Sequence, residues 1–162
     1  ILKKIKRKEM VCNTIEINKL IKQFAEPGLA GIKDEDKRVD IFIEDKNKNL
    51  YFIDITSPKP NIKEFAAMKL KLMRWTAIGY ANYKAKSVQA LLCMPYNPYF
   101  PKPYKKFGGD ITCDFSNDIK IQNDFWDTVA GFPVYDGLVG VFEIVGKKIR
   151  NKLEEKMKTF ED

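Results

Sequence analysis

Two aspartates, Asp40 and Asp54, stand inside segments that are otherwise apolar. Asp40 belongs to RVDIFI (residues 38–43), and Asp54 belongs to LYFIDI (residues 50–55). A carboxylate held among apolar side chains without a partner costs several kcal/mol, so each aspartate requires a compensating group. A divalent cation shared by both carboxylates is one such group, and it would give the pair a chemical use.

Side-chain alternation along a strand decides whether these carboxylates can meet. In the second segment Asp54 shares its face with Phe52 and Thr56. If the hairpin register places Asp40 opposite Asp54, both carboxylates converge on one point, where the backbone carbonyl of Ile55 is a further oxygen ligand. This donor set suits Mg²⁺, which can activate a water molecule for attack on a phosphodiester.

Simpler interpretations compete with a metal site. Asp40 could form an ion pair with Arg38 or a nearby lysine, or the hairpin could lie at a sheet edge with both acids in solvent. Acid-containing strands are common, so the two aspartates alone do not decide between these interpretations.

The elements that would position the aspartates follow from periodicity. Apolar residues at helical spacing predict a short helix over residues 14–25, and the EDKNKN turn between the two aspartate segments predicts a β-hairpin. Asn61 and Glu64 form a capping-box pattern at the start of a helix over residues 62–83. The apolar run VQALLCM (residues 88–94) predicts a buried strand parallel to its predecessor.

The remaining segments complete an α/β fold with a mixed central β-sheet flanked by helices. Residues 95–109 are rich in proline and predict a loop, residues 124–130 predict a short helix, and residues 138–160 predict a long amphipathic helix. A length of 162 residues fits a single domain spanning 1–162. Because the chain opens without Met, we expect residues to be missing at its N-terminus.

Composition restricts the chemistry and the partners. The absence of histidine excludes mechanisms that need imidazole. The net charge of +7 favours a polyanionic partner. The chain has no apolar run of the roughly 18 residues that a membrane span needs, so no membrane partner is expected. Three cysteines without CxxC spacing favour a reducing cytoplasm.

Two basic segments are candidate DNA contacts. The proline-rich loop combines aromatic rings, an amide and cations, which suits a phosphate-tracking loop; its residues are Tyr96, Asn97, Tyr99, Lys102, Tyr104, Lys105 and Lys106. Lys59, Asn61 and Lys63 stand at the start of the 62–83 helix, whose N-terminal amides favour a phosphate. The alternative is a surface loop whose tyrosines pack onto the domain.

The order of these parts resembles the PD-(D/E)xK nuclease core, with VDIFI…YFIDITSPKPN as the matching hairpin. Further motifs follow in sequence: the KLKLMRW helix, LLCMPYNPYFPKPY, NDFWDTVAG and YDGLVGVFEIVGKKIR. Over residues 36–150 they resemble the Tde-III-type restriction endonuclease family.

That resemblance implies a restriction-endonuclease-like fold and a type II enzyme that cuts both strands of double-stranded DNA with Mg²⁺. The site would be short and palindromic, of the GG-N-CC kind, and would be bound by a homodimer, for which the C-terminal helix is a candidate surface. Asp40 and Asp54 carry over as metal ligands, and Glu16 is the candidate for the third acid that often completes such sites.

One position departs from the family pattern, because Thr56 occupies the place of the catalytic lysine. A hydroxyl cannot supply a cation. Either Lys59 reaches back, as lysines are known to relocate in this superfamily, or Thr56 inactivates the site. Two further functions stay open: a non-catalytic DNA-binding protein on a nuclease fold, and a repair or junction-resolving nuclease of the same superfamily.

Overall fold

A computed structural model describes residues 2–25, 38–83, 85–105 and 112–158 of the chain. The helices are α1 (Leu2–Lys6), α2 (Thr14–Phe24), α3 (Ile62–Asn82), α4 (Phe115–Asp118), α5 (Asn123–Ala130) and α6 (Tyr135–Lys158). The strands are β1 (Ile41–Glu44), β2 (Asn49–Ile55), β3 (Ser87–Met94) and β4 (Ile119–Ile121). These described segments form two compact units, residues 1–121 and residues 122–162.

The first unit contains a mixed four-stranded sheet in the order β1-β2-β3-β4. β1 and β2 form the antiparallel hairpin, while β2, β3 and β4 are mutually parallel. A parallel connection requires a crossover, which α3 supplies between β2 and β3. The predicted α/β class with a mixed sheet and flanking helices is therefore confirmed.

Local sequence explains the hairpin and the crossover helix. The turn is stabilised by Asp45, whose carboxylate accepts hydrogen bonds from the backbone N–H groups of Asn47 (2.8 Å) and Asn49 (2.9 Å). Helix α3 begins with the predicted capping box: the Asn61 side chain accepts from the Glu64 N–H, and the Glu64 carboxylate accepts from the Asn61 N–H. Both devices satisfy backbone groups that a strand end or helix end would leave unpaired.

The main core lies between α3 and the sheet. Phe65, Leu72 and Trp75 on α3 pack with apolar residues of β2 and β3. Gly79 lets the helix approach closely, since a Cβ at this position would stand 2.8 Å from a Val88 methyl carbon. A smaller cluster, built around Ile5 and Ile17, packs α1 and α2 onto the same unit.

Several boundaries differ from the sequence-based predictions. β1 begins at Ile41 rather than at residue 38, so Asp40 directly precedes the strand. Helix α1 and the short elements α4 and β4 were not predicted; they have five, four and three residues, too few to show a period. Residues 106–109 of the predicted loop lie outside the described residues.

The second unit consists of α5 and α6, as predicted. Helix α5 ends at Gly131, which adopts a left-handed conformation (φ 77°) and donates its N–H to the Asp127 carbonyl. The Asp127 carboxylate accepts from the N–H of Val134 (2.8 Å) and of Tyr135 (3.1 Å), which fixes the start of α6. No single helix in the described ranges is long and apolar enough to cross a membrane. Only α5 and residues 135–154 taken together, with a bend of 105° between them, reach that length and apolar composition.

Candidate active site

The hairpin register brings Asp40 and Asp54 together. Ile41 pairs with Ile53 at the end of the hairpin ladder, and Asp40 and Asp54 are the residues that adjoin this pair. The Asp40 N–H donates to the Ile53 carbonyl (3.1 Å), which holds this end of the hairpin closed. The two carboxylates are neighbours, since the negative charge of Asp40 contributes to the raised pKa of Asp54.

Asp40 is oriented by the backbone of the opposite strand. Its Oδ2 accepts a hydrogen bond of 2.7 Å from the Ile55 N–H. Because the N–H and C=O of one strand residue point to the same side, the Ile55 carbonyl oxygen also points toward the side of Asp40. Asp40, Asp54 and the Ile55 carbonyl thus supply oxygen atoms at one end of the hairpin.

Asp54 is buried (9% exposed), and its Oδ1 lies 2.6 Å from the Nζ of Lys71. Burial raises the pKa of the Asp54 carboxyl. The Lys71 ammonium opposes this rise in pKa, and the negative charge of Asp40 adds to it. A second carboxylate beside a buried one is a repulsive arrangement, which a cation between them would relieve.

Lys71 is the residue of this site that the sequence-based reasoning missed. It projects from α3 toward the end of β2, and its ammonium also lies 4.7 Å from the centroid of the Trp75 ring, one helical turn away. The available signal was its spacing of four residues from Trp75 within the motif KLKLMRW. The partner Asp54 could not be read from that spacing, since it lies 17 residues away on another element.

Thr56 stands where the family resemblance expects the lysine. Its backbone N–H donates to the Cys93 carbonyl (2.9 Å), which continues the pairing of β2 with β3 by one residue. Lys59, the predicted substitute, lies elsewhere: its ammonium is 5.3 Å from the centroid of the Tyr99 ring. The lysine that forms the ion pair with Asp54 is Lys71.

Glu16 does not complete the site. Its carboxylate forms an exposed ion pair with Lys19 (2.8 Å) on the same helix. Among the residues that the structure describes, no three His, Cys, Asp or Glu side chains form a group able to hold a metal ion. In this structure Glu16 is engaged with Lys19, and its role as a third acid stays a prediction.

The two carboxylates and the Ile55 carbonyl nevertheless fit Mg²⁺. This ion retains several water ligands and is commonly bound through only one or two carboxylates. Asp40 uses Oδ2 for the Ile55 N–H and Asp54 uses Oδ1 for Lys71, which leaves Asp40 Oδ1 and Asp54 Oδ2 as candidate ligands. The donor set is made of hard oxygen atoms, as Mg²⁺ prefers.

The start of α3 provides a cavity of about 660 Å³, which is lined by Lys59, Pro60, Asn61, Ile62 and Lys63. The side chain of Asn61 is already occupied, since it accepts from the N–H groups of Lys63 (2.9 Å) and Glu64 (3.0 Å). A phosphate at this helix end would have to compete with the capping box. The exposed ammonium groups of Lys59 and Lys63 are the available phosphate donors here.

Some residues of the proline-rich loop that were predicted to contact DNA pack against the protein, and others are exposed to solvent. Tyr104 is half-buried and donates its hydroxyl to the Pro58 carbonyl (2.6 Å), and burial raises its pKa to about 12. Asn97 shapes the loop by donating to the Lys102 carbonyl (2.8 Å) and accepting from the Tyr99 N–H (3.0 Å). These two side chains serve the loop itself.

Among the described residues of the loop that were predicted to contact DNA, Tyr96, Lys102 and Lys105 are exposed. The ammonium of Lys105 lies 5.4 Å from the Tyr99 ring centroid, and that of Lys59 lies 5.3 Å from it. Two ammonium groups near one ring concentrate positive charge where the loop meets residue 59. Lys106, also predicted to contact DNA, lies outside the described residues.

The three cysteines have no role in this site. Cys12, Cys93 and Cys113 are free and buried, and burial raises the pKa of the Cys93 and Cys113 thiols to about 12. Thiols with a raised pKa are poor nucleophiles at neutral pH. This agrees with a site whose chemistry depends on carboxylates and a lysine.

Comparison with known proteins identifies the family. Residues 1–146 match the model of the family described as "Type II restriction endonuclease, HinfI". Among individual proteins, the chain is 26% identical over 147 residues to the type II restriction enzyme HgiEI of Herpetosiphon aurantiacus, covering 89% of this chain and 53% of the relative. The type II restriction enzyme HgiBI of the same organism gives the same identity and coverage.

A third relative, the type II restriction enzyme HgiCII of Herpetosiphon aurantiacus, is 24% identical over 149 residues, covering 87% of this chain and 52% of the relative. The chain spans about half the length of these curated relatives. No solved structure matches it. Because the family model covers most of the sequence, the chain belongs to the HinfI family of type II restriction endonucleases.

Proposed function

We propose that this chain carries the catalytic centre of a type II restriction endonuclease that hydrolyses double-stranded DNA with Mg²⁺. The single observation that supports this most is the convergence of Asp40 and Asp54 at one end of the hairpin, beside the ammonium of Lys71. Membership of a type II restriction endonuclease family supplies the substrate class. The chain matches only about half the length of its relatives, so the activity of the whole protein is part of the proposal.

In this proposal Asp40, Asp54 and the Ile55 carbonyl hold the ion. The bound ion would polarise the scissile phosphate and lower the pKa of a water ligand. Asp40 keeps its orientation through the Ile55 N–H, and the buried position of Asp54 keeps the ion site partly shielded from bulk solvent. A water molecule then attacks phosphorus directly, without a covalent enzyme intermediate.

DNA contacts would come from the positive surface beside this centre. Lys59, Lys63, Lys102 and Lys105 are exposed lysines of the α3 start and the proline-rich loop, and they can neutralise phosphates. Tyr96 is exposed (55%) and available to a base or sugar. These contacts would fix the position of the duplex rather than read its sequence.

The finer features are proposed from the family resemblance. They are the Tde-III subtype, the GG-N-CC-like palindrome, the homodimer and a cytoplasmic location. A palindromic site calls for two symmetric copies of the chain. The apolar residues Phe142 and Ile149 of α6 are exposed and follow the helical period, which suits a helix-to-helix contact.

The test is digestion of unmethylated phage DNA with Mg²⁺, and in parallel with EDTA, followed by gel electrophoresis. We expect discrete fragments with Mg²⁺ from the wild type, and no fragments from Asp54→Asn. Asp45→Asn is the matched control, because Asp45 lies in the hairpin turn at the opposite end of β2 and an asparagine Oδ1 can still accept from the backbone N–H groups of Asn47 and Asn49.

Other outcomes contradict the proposal in distinguishable ways. A continuous smear, or cleavage restricted to branched DNA, would indicate a repair or junction-resolving nuclease. DNA binding without any cleavage, unchanged in Asp54→Asn, would indicate a non-catalytic DNA-binding protein.

A further inference from the structure

Helix α3 runs beside β2 in the opposite direction, with matched spacing. The Trp75 ring lies 6.2 Å from the Phe52 ring, and one helical turn earlier the Lys71 ammonium reaches Asp54. Four helical residues advance about 6.0 Å and two strand residues about 6.6 Å, so every fourth residue of α3 lies near every second residue of β2 over this stretch. Residue 56 is the next position of β2 on the same face.

A lysine at position 56 would therefore project onto the face that α3 covers, beside Asp54. Lys71 already delivers an ammonium group to that place from the helix. A lysine at position 56 of the strand and Lys71 of the helix would thus place an ammonium group in the same location beside Asp54. This chain has Thr56 on the strand and Lys71 on the helix.

We propose that Lys71 is the catalytic cation of the Asp40–Asp54 site, supplied by α3 in place of a lysine at position 56. Its ammonium would donate hydrogen bonds to the non-bridging oxygens of the scissile phosphate. The inference rests on the proposed function, because it assigns a role within the same hydrolysis.

The way in which Lys71 is held supports this role. Its ammonium lies against the Trp75 ring, which is 1% exposed and stacks on Phe52. A rigid aromatic surface and one carboxylate together restrict where the ammonium can lie. The side chain nevertheless keeps 20% of its surface exposed.

The chemistry needs Lys71 to stay charged throughout. The water oxygen forms a bond to phosphorus while one P–O ester bond breaks, the water proton passes to solvent, and the leaving oxygen takes a proton from solvent. Lys71 neither gains nor loses a proton; it stabilises the negative charge that develops on the phosphoryl oxygens.

Two other lysines of this region have different contacts. Lys59 lies over the Tyr99 ring, and Lys69 is buried (1% exposed) with its ammonium bonded to Asp118 and Thr14. Lys71 therefore combines contact with the acid pair and access to solvent.

The experiment compares wild type, Lys71→Ala and the double variant Lys71→Ala/Thr56→Lys, with Lys46→Ala in the exposed hairpin turn as control. Three quantities are measured: the single-turnover cleavage rate with Mg²⁺, the Kd for the cleaved duplex with Ca²⁺, and Mn²⁺ binding by calorimetry. We expect Lys71→Ala to lower the rate by about 100-fold or more, the loss typical of one transition-state donor.

DNA affinity and Mn²⁺ binding should stay within about threefold in Lys71→Ala, a change worth less than 1 kcal/mol. The double variant should regain at least about tenfold in rate, because its new lysine projects onto the same face. A purely structural role for Lys71 predicts no such rescue.

The opposite results are distinct. A Lys71→Ala rate close to wild type overturns this inference and leaves the proposed function intact. Loss of Mn²⁺ and DNA binding together with the rate assigns Lys71 to the structure of the site, and a double variant as slow as Lys71→Ala contradicts the shared face. A wild type that does not cleave overturns the proposed function and this inference together.

Discussion

Helix α3 carries two lysines two residues apart, each within 2.6 Å of an aspartate oxygen, in opposite environments. Lys69 and Asp118 are both 1% exposed at their side chains, whereas Lys71 and Asp54 keep 20% and 13%. Residues two apart on a helix do not face each other, so the two pairs lie on different faces of α3.

The Lys69 pair is saturated with partners. Lys69 also donates to the Thr14 hydroxyl (2.5 Å), this hydroxyl donates to Asp118 (2.7 Å), and Asp118 accepts from the Asp114 N–H (2.8 Å). These bonds join α2, α3 and α4. A buried ion pair is tolerated when such bonds satisfy it, and this cluster holds helices together.

The Lys71 pair is only partly satisfied by the protein. Asp54 has the Lys71 ammonium on one oxygen and the Asp40 carboxylate as a neighbour, and burial raises its pKa. An ion pair that is buried with a complete set of hydrogen-bond partners, such as Lys69–Asp118, indicates a structural role. Burial with like charges side by side indicates a place for a ligand.

The largest expected effect separates the two lysines by stability. Lys69→Met leaves Asp118 buried without its counter-charge, so the free energy of unfolding should fall by about 3–5 kcal/mol. Lys71→Met breaks a partly exposed pair and should cost less, about 1–3 kcal/mol. Urea unfolding followed by circular dichroism measures both free energies. Equal losses would contradict a structural role for Lys69 that Lys71 does not share.

A smaller effect is expected from the threonines that accompany each pair. Thr14→Val removes a buried hydroxyl that bonds both Lys69 and Asp118, and should lower the free energy of unfolding by about 1–3 kcal/mol. Thr56→Val leaves the backbone bond to Cys93 in place and should change it by less than about 0.5 kcal/mol. The same unfolding assay decides, and a larger loss at Thr56 would reverse the comparison.

The sequence was sufficient for the parts of this fold that depend on local patterns. The EDKNKN turn, the Asn61–Glu64 capping box and the apolar run of β3 are local signals, and each element formed where predicted. The turn indicated a hairpin, but the sequence left its register open, so the approach of Asp40 to Asp54 was predicted only on the condition of a suitable register.

Contacts between distant segments could not be predicted in this way. Lys69 is buried on α3, four residues after Phe65 and three before Leu72, a spacing that the sequence analysis did not use. Its partner Asp118 was not, because it lies 49 residues away in a helix of four residues. The same reason hid the Lys71–Asp54 pair and led to Lys59, which is closer in sequence but held by Tyr99.

Asp40 and Asp54 together are proposed to hold one divalent ion. Calorimetric titration of Mn²⁺ into wild type, Asp40→Asn and the control Asp45→Asn tests it without any DNA. The account predicts one ion per chain in the wild type and in Asp45→Asn, with affinity reduced by at least about tenfold in Asp40→Asn. Equal Mn²⁺ binding by wild type and Asp40→Asn would contradict the account.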